Sequence, residues 1–103
     1  MIVNRQTFYA KFGQGDALVA LIRELIASPE GKSMGIAANH VYTDVTGSMF
    51  TVIWDEEHAN IEAYADAQKK LEAFFGTETF RKFFARMTDL VERGERSLLT
   101  KVV

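Results

Sequence analysis

The chain has two histidines to move a proton near neutral pH, His40 and His58, and each sits among other polar groups. His40 stands at period two with Tyr42 and Asp44, so in a strand the three share one face. A neutral imidazole there could take a proton from an acidic C–H or a phenol. The plainer reading of the triplet is a solvated or interface surface, because outward strand positions are commonly polar. His58 closes the run Asp55-Glu56-Glu57-His58, whose composition suggests a metal cluster. A metal needs three or four converging ligands, whereas successive residues in the first turn of a helix point in different directions. Acidic side chains there also complement the helix dipole. No metal site is expected. Ser28, Ser33, Ser48 and Ser97 lie in no nucleophile elbow, and the chain has no cysteine to form a thiolate or a disulfide. Gly13-Gln14-Gly15 is too short a glycine run for a phosphate loop, and no cofactor is implied by any other motif.

Composition bounds the remaining possibilities. The 103 residues fit one domain, 1–103, and 48% hydrophobic content with eight Phe, three Tyr and one Trp can fill a core. A net charge of −2, from 12 basic and 14 acidic residues, lacks the basic excess that displaces counterions from nucleic acid. The opening Met1-Ile2-Val3-Asn4-Arg5 is not a signal peptide, and the apolar runs fall far short of the roughly 20 residues that span a bilayer. The expectation is a cytoplasmic protein with neither nucleic acid nor membrane among its partners.

Elements follow from periodicity. Ile2 to Lys11 alternates as a strand, with Val3, Arg5, Thr7 and Tyr9 on one side. After the Gly13-Gln14-Gly15 break, Asp16 suits an N-cap, and Leu18, Leu21, Ile22, Leu25 and Ile26 form a helical stripe until Pro29. Asn39 to Val45 and Met49 to Trp54 read as a hairpin closed at Thr46-Gly47. Asp55 then caps a long helix with Ile61, Tyr64, Ala65, Gln68, Leu71 and Phe75 on one face, broken at Gly76. Thr77 restarts a helix whose stripe is Phe80, Phe83, Phe84, Met87, Leu90 and Val91, ending at Gly94. Arg81, Lys82, Arg86, Arg93 and Arg96 interleave with it as a solvated face. Ser97 to Val103 is a fourth strand. The order is an α+β, ferredoxin-like βαββαβ fold with a four-stranded antiparallel sheet and an extra helix before the last strand.

Such a sheet carries helices on one face only. The third strand places Phe50, Val52 and Trp54 opposite Met49, Thr51 and Ile53, and the tail places Leu98 and Val102 opposite Leu99 and Val103. Both faces are therefore expected to be apolar, and no helix is left to cover the second. Burial is worth roughly 25 cal/mol per Å2, so a homodimer with sheets face to face is the expected solution.

Three segments resemble the dimeric α/β-barrel superfamily: Asn4-Arg5-Gln6-Thr7-Phe8, the strand end Thr51-Val52-Ile53-Trp54, and Phe75-Gly76-Thr77-Glu78-Thr79-Phe80 running through Phe83-Phe84 into Glu95-Arg96-Ser97-Leu98-Leu99. The last segment is most similar to the NIPSNAP-like branch. The superfamily also holds cofactor-free antibiotic-biosynthesis-type monooxygenases, haem-degrading monooxygenases and stress-responsive barrels, so the resemblance implies the fold more strongly than a chemistry. In the haem-degrading branch an Asn on the first strand and a Trp late in the third match Asn4 and Trp54, but its His falls here at Tyr64. Imidazole is the commoner haem ligand, and this departure tells against haem degradation.

The leading expectation is thus a NIPSNAP-like barrel that binds a small aromatic or hydrophobic ligand between sheet and helices, lined by Asn4, Gln6, Phe50, Trp54, Tyr64 and Phe84. The alternative is a cofactor-independent monooxygenase acting on an aromatic or polyketide-like substrate, with His40 or Tyr64 as base and Asn4 as hydrogen-bond donor. A protein whose only task is assembly is a further possibility that these residues do not separate from the first.

Overall fold

The computed structural model describes residues 1–35 and 39–103. Its elements run β1 (Ile2–Ala10), α1 (Gly15–Ala27), α2 (Pro29–Ser33), β2 (His40–Thr43), β3 (Thr51–His58), α3 (Ile61–Phe75), α4 (Glu78–Leu90) and β4 (Val91–Thr100). The sheet order is β2-β3-β1-β4, every neighbouring pair antiparallel. Two crossovers build it: β1 reaches β2 past β3 through α1 and α2, and β3 reaches β4 past β1 through α3 and α4. The fixed hand of such crossovers puts the helices on the same face. This is the α+β, ferredoxin-like arrangement that the periodicity predicts.

Leu18, Leu21, Ile22 and Leu25 of α1 are buried, and Leu18, Ile22 and Leu25 form the core with Val52, Trp54 and Phe74. Ser28 ends one helix and starts the next: its hydroxyl donates to the Leu25 carbonyl at 2.6 Å and accepts from the Gly31 amide at 3.0 Å. Gly31 is required at this corner, because a Cβ there would overlap the Leu25 carbonyl oxygen.

Several boundaries differ from the sequence expectation. Asp16 lies in the first turn of α1, and Gln14 occupies the cap position without a side-chain bond. Asp55, Glu56, Glu57 and His58 are strand residues rather than a helix start; the cap of α3 is Asn60, which accepts from the Ala63 amide at 2.8 Å. The reason is pairing: β3 runs its full length against β1, from Tyr9↔Thr51 to Ile2↔His58, and ladder bonds outweigh the acidic residues' preference for a helix N-terminus. With the start of α3 moved to Ile61, its inward face carries Tyr64, Gln68, Leu71 and Phe74, while Ile61, Ala65 and Phe75 are exposed.

Gly94 does not stop α4. The helix ends at Leu90, and Gly94 lies inside β4 opposite Phe8, whose ring sits 3.5 Å from where a glycine Cβ would be. A cross-strand aromatic covering a strand glycine makes good its missing side chain. Phe50 is also outside its expected strand. It precedes β3 with φ of 60°, a left-handed conformation that few non-glycine residues adopt, and packs edge-on against Phe12 at 5.0 Å.

The face turned away from the helices is less apolar than expected. Paired residues in an antiparallel ladder share a face. That face therefore carries Val3, Thr7, Ile53 and Leu99 together with Arg5–Asp55, Tyr9, Arg93, Glu95, His40 and Tyr42. Four of its charges are paired: Arg5 clasps Asp55 through two bonds of 2.9 and 2.8 Å, Arg93 meets Glu95 at 2.7 Å, and the Arg93 guanidinium lies 3.9 Å from the centre of the Tyr9 ring; Glu57, opposite Val3, is exposed on the same face. Leu98 points to the helix side, and Val102 and Val103 follow the last strand.

Candidate functional site

The helix-side face of the sheet presents a different chemistry. Three rows run across it: Trp54, Gln6 and Arg96; then Glu56, Asn4 and Leu98; then His58, Ile2 and Thr100, each drawn from β3, β1 and β4. Over the first row, α3 and α4 leave a cleft of about 230 Å3. Its floor is Gln6, Phe8, Trp54, Glu56 and Arg96, and its roof is Leu71, Phe74, Phe75, Phe80, Phe83, Phe84 and Met87. The roof is an aromatic cluster because α4 repeats Phe at helical spacing and α3 ends on two more. Phe80 lies 4.6 Å from Phe75, 5.4 Å from Phe74 and stacks on Phe84 at 5.8 Å. Thr77 fixes the junction of the two helices, donating to Phe74 at 2.7 Å and accepting from Phe80 at 3.2 Å. Phe84, 57% exposed, and Phe75, 45% exposed, form the outer rim.

Two residues of this sheet face carry buried polar atoms without partners. Asn4 is wholly buried, yet neither its amide nitrogen nor its carbonyl oxygen has a partner among the described residues; the same holds for Trp54 Nε1. Buried polar groups are nearly always bonded, and one left unpaired costs about 1–3 kcal/mol. Such exceptions concentrate where a protein has something to bind.

A second hollow, about 630 Å3, adjoins the first through Met34, Glu56 and Leu71 and is lined among others by His58, Asp66, Gln68 and Lys70. His58 Nε2 lies 3.4 Å from Glu56 Oε2, and the Tyr64 ring meets the His58 ring edge-on at 5.5 Å. Among the described residues no group of three or more His, Asp or Glu is placed to hold a metal ion.

The sequence-derived candidates therefore divide. Gln6, Trp54 and Phe84 meet in the cleft, and Asn4 lies on the same sheet face one row away. Phe50 stands apart, at the turn beside Phe12. Tyr64 lines neither hollow and touches His58, which lines the adjoining one. His40 pairs with Asp55 in the ladder and so lies on the opposite face of the sheet, exposed beside Tyr42 at 6.3 Å. His40 and Tyr64 are thus not brought together. Two features fit a haem poorly: Tyr64 is turned to His58 instead of the cleft beside Trp54, and about 230 Å3 falls below the roughly 300–1,000 Å3 of ordinary ligand sites.

Two polar cleft residues escaped the sequence reading. Glu56 was hidden by its apparent place in a helix, and Arg96 by its apparent place on a solvated helical face. The signal available for both was strand alternation carried further: Val52, Trp54, Glu56 and His58 continue one period-two row, as do Gly94, Arg96 and Leu98.

Fold and cleft together define an α+β protein with a ferredoxin-like sheet and an aromatic-roofed cleft, a fold similar to that of NIPSNAP and monooxygenase-type structures. Solved structures make the likeness specific. An uncharacterised NIPSNAP domain protein from Burkholderia xenovorans superposes with a TM-score of 0.75 at 15% identity, over 99% of this chain and 95% of that one. A NIPSNAP family protein from Agrobacterium tumefaciens gives 0.73 at 21% identity, over 98% and 92%. An antibiotic biosynthesis monooxygenase gives 0.64 at 18% identity over 100% of both chains. At these identities the likeness establishes a shared fold. No protein-family model and no curated protein matches the sequence. No helix among the described residues is long and apolar enough to cross a membrane.

Proposed function

We propose that the protein binds a small, largely aromatic or hydrophobic molecule in the cleft between the sheet and α3–α4. The observation that carries this reading is the buried Trp54 indole N–H, without a partner among the described residues, beneath a lining rich in phenylalanine, with the equally unpartnered Asn4 amide one row away on the same sheet face. An apolar pocket with a few convergent polar atoms is the usual makeup of a ligand site. The test is a native mass spectrum and absorbance scan of protein purified without denaturation, followed by titration of recovered ligands against the fluorescence of Trp54. Ligands that leave Trp54 emission unchanged, or that bind equally well after Phe84→Ala, would overturn the reading.

The working form in this proposal is a homodimer joined through the open sheet face. Support comes from Tyr42, 49% exposed, and Leu99, 41% exposed, among half-buried Val3, Thr7 and Ile53. Sedimentation at micromolar concentration should give a mass near twice 11.6 kDa. A monomer there would remove the dimer and leave the cleft untouched.

A cofactor-independent monooxygenase is the second reading, favoured by the fold likeness to an antibiotic biosynthesis monooxygenase and by the Glu56–His58–Tyr64 group at the end of the cleft. In it Tyr64 or His58 removes a proton from an electron-rich aromatic substrate. For His40 to contribute, it would have to act from the other face of the sheet. Oxygen consumption unaffected by His40→Ala, His58→Ala and Tyr64→Phe would reject these assignments.

A further inference from the structure

The floor of the cleft has a polarity. Arg96 of β4 stands at one side and Glu56 of β3 at the other, one row further along, with Gln6 of β1 between them. Two strand spacings of about 4.8 Å across the sheet and a two-residue offset along it put roughly 12 Å between the backbone positions that carry the two charges, and no ion pair joins them. The other strand arginines are each held by a carboxylate, Arg5 by Asp55 and Arg93 by Glu95. Both of those lie on the opposite face. Arg96 alone of these three lines the aromatic cleft, and no carboxylate pairs with it among the described residues.

A guanidinium at the edge of an apolar slot is suited to a planar anion, since its fork matches a carboxylate and its face can stack on rings. The Trp54 indole N–H and the Gln6 side chain lie in the same row, and they add donors rather than a competing negative charge. Glu56 at the far side meets His58 through Oε2 at 3.4 Å, and its other carboxylate oxygen is an acceptor that suits a hydroxyl or N–H. A cleft of about 230 Å3 under the Phe80–Phe84 stack limits the body to one or two rings.

We propose that the ligand is a flat aromatic acid of one or two rings, its carboxylate held by Arg96 and a hydrogen-bond donor on its opposite edge directed to Glu56. This rests on the cleft being a binding site. A neutral aromatic of the same shape leaves Arg96 unengaged and binds more weakly. A charge-assisted bond to carboxylate corresponds to a difference of about tenfold or more.

The experiment titrates nitrogen-15-labelled full-length protein with 6-hydroxy-2-naphthoate and, separately, with 2-naphthol, which keeps the rings and hydroxyl but lacks the carboxylate. The indole N–H signal of Trp54 is a single resonance, because the chain has one Trp. The naphthoate should shift it saturably and bind about tenfold or more tightly than the naphthol. Arg96→Gln should bring the two within about twofold, Arg96→Lys should keep only part of the preference because an ammonium supplies the charge without the fork or the stacking face, and Arg93→Gln, on the other face, should leave it unchanged. Equal affinity in the native protein, or a preference that survives Arg96→Gln, overturns the assignment of an acid while leaving the cleft reading in place. If neither probe moves the Trp54 signal, the cleft reading falls and this inference with it.

Discussion

Replacing Asn4 with leucine should stabilise the unliganded protein and weaken its binding. Leucine keeps the branching of asparagine but removes two polar atoms that are fully buried and unpaired. Relieving an unpaired buried group is worth about 1–3 kcal/mol, and the larger methyl groups give some of that back by crowding the layer under the helices. The net expectation is a gain of about 1–2 kcal/mol. For a chain of 103 residues that is a rise in Tm of about 4–8 °C per kcal/mol. The assay is thermal and urea unfolding of both proteins at one fixed concentration, since self-association would make Tm concentration-dependent. In parallel, ligand affinity should fall several-fold. A variant destabilised by more than about 1 kcal/mol would refute the reasoning, because it would mean that the fold itself satisfies the Asn4 amide.

Three further outcomes follow. Gly31→Ala should cost about 1–3 kcal/mol in urea unfolding, because its Cβ would strike the Leu25 carbonyl where α1 turns into α2; an unchanged midpoint would mean the corner is looser than its hydrogen bonds imply. Phe84→Ala, with the ring 57% exposed, should cost less than about 1 kcal/mol in stability while weakening ligand binding several-fold, so that the two measurements separate. Arg5→Ala should cost about 1–2 kcal/mol, discounted because the Arg5 side chain is 43% exposed and arising mainly from leaving Asp55, 9% exposed, without its partner. The hydrogen bond to Asp55 raises the Arg5 pKa above its ordinary value, against a smaller opposing effect of burial. Stabilisation by a group with a raised folded value is full below its unfolded value and lost only as pH climbs through the folded one. The Arg5→Ala penalty should therefore stay constant from neutral to mildly alkaline solution and fade only in strong alkali; a penalty that shrank steadily through mild alkali would contradict this.

Element types were readable where one periodicity dominated. The stripe Leu18, Leu21, Ile22 and Leu25 could only be an amphipathic helix, and the alternation from Ile2 to Ala10 could only be a strand. Boundaries failed where local preference and long-range pairing disagreed. Asp55-Glu56-Glu57-His58 has the composition of a helix start, but its partners in the ladder are Arg5, Asn4, Val3 and Ile2, fifty residues and more away in sequence. No local pattern reports such pairing. Gly94 failed likewise: a glycine after an apolar helical run reads as a stop, and only Phe8 across the sheet explains it inside a strand. Site residues followed the same division. Gln6, Trp54 and Phe84 were legible as aromatic and amide supply on elements correctly typed, whereas Glu56 and Arg96 became cleft residues only once their segments were recognised as strands.

The two faces of the sheet differ in how their buried polar groups are met, and that contrast argues for separate roles. On the open face Arg5–Asp55 and Tyr9–Arg93–Glu95 are closed sets, each polar group meeting another of the same chain. Closed pairs of this kind can be covered with less desolvation loss than lone charges, and they mark out register between strands. They suit a surface that meets a second copy. On the helix side Asn4, Trp54 Nε1 and Arg96 have no partner among the described residues, while Glu56 meets His58, although β1, β3 and β4 supply residues to both faces. The buried, unpaired groups of this side place unmet hydrogen-bonding capacity under and beside the aromatic roof. That is where a small molecule with a matching acid and donor would gain most, and it is why Asn4→Leu should raise stability at the expense of binding.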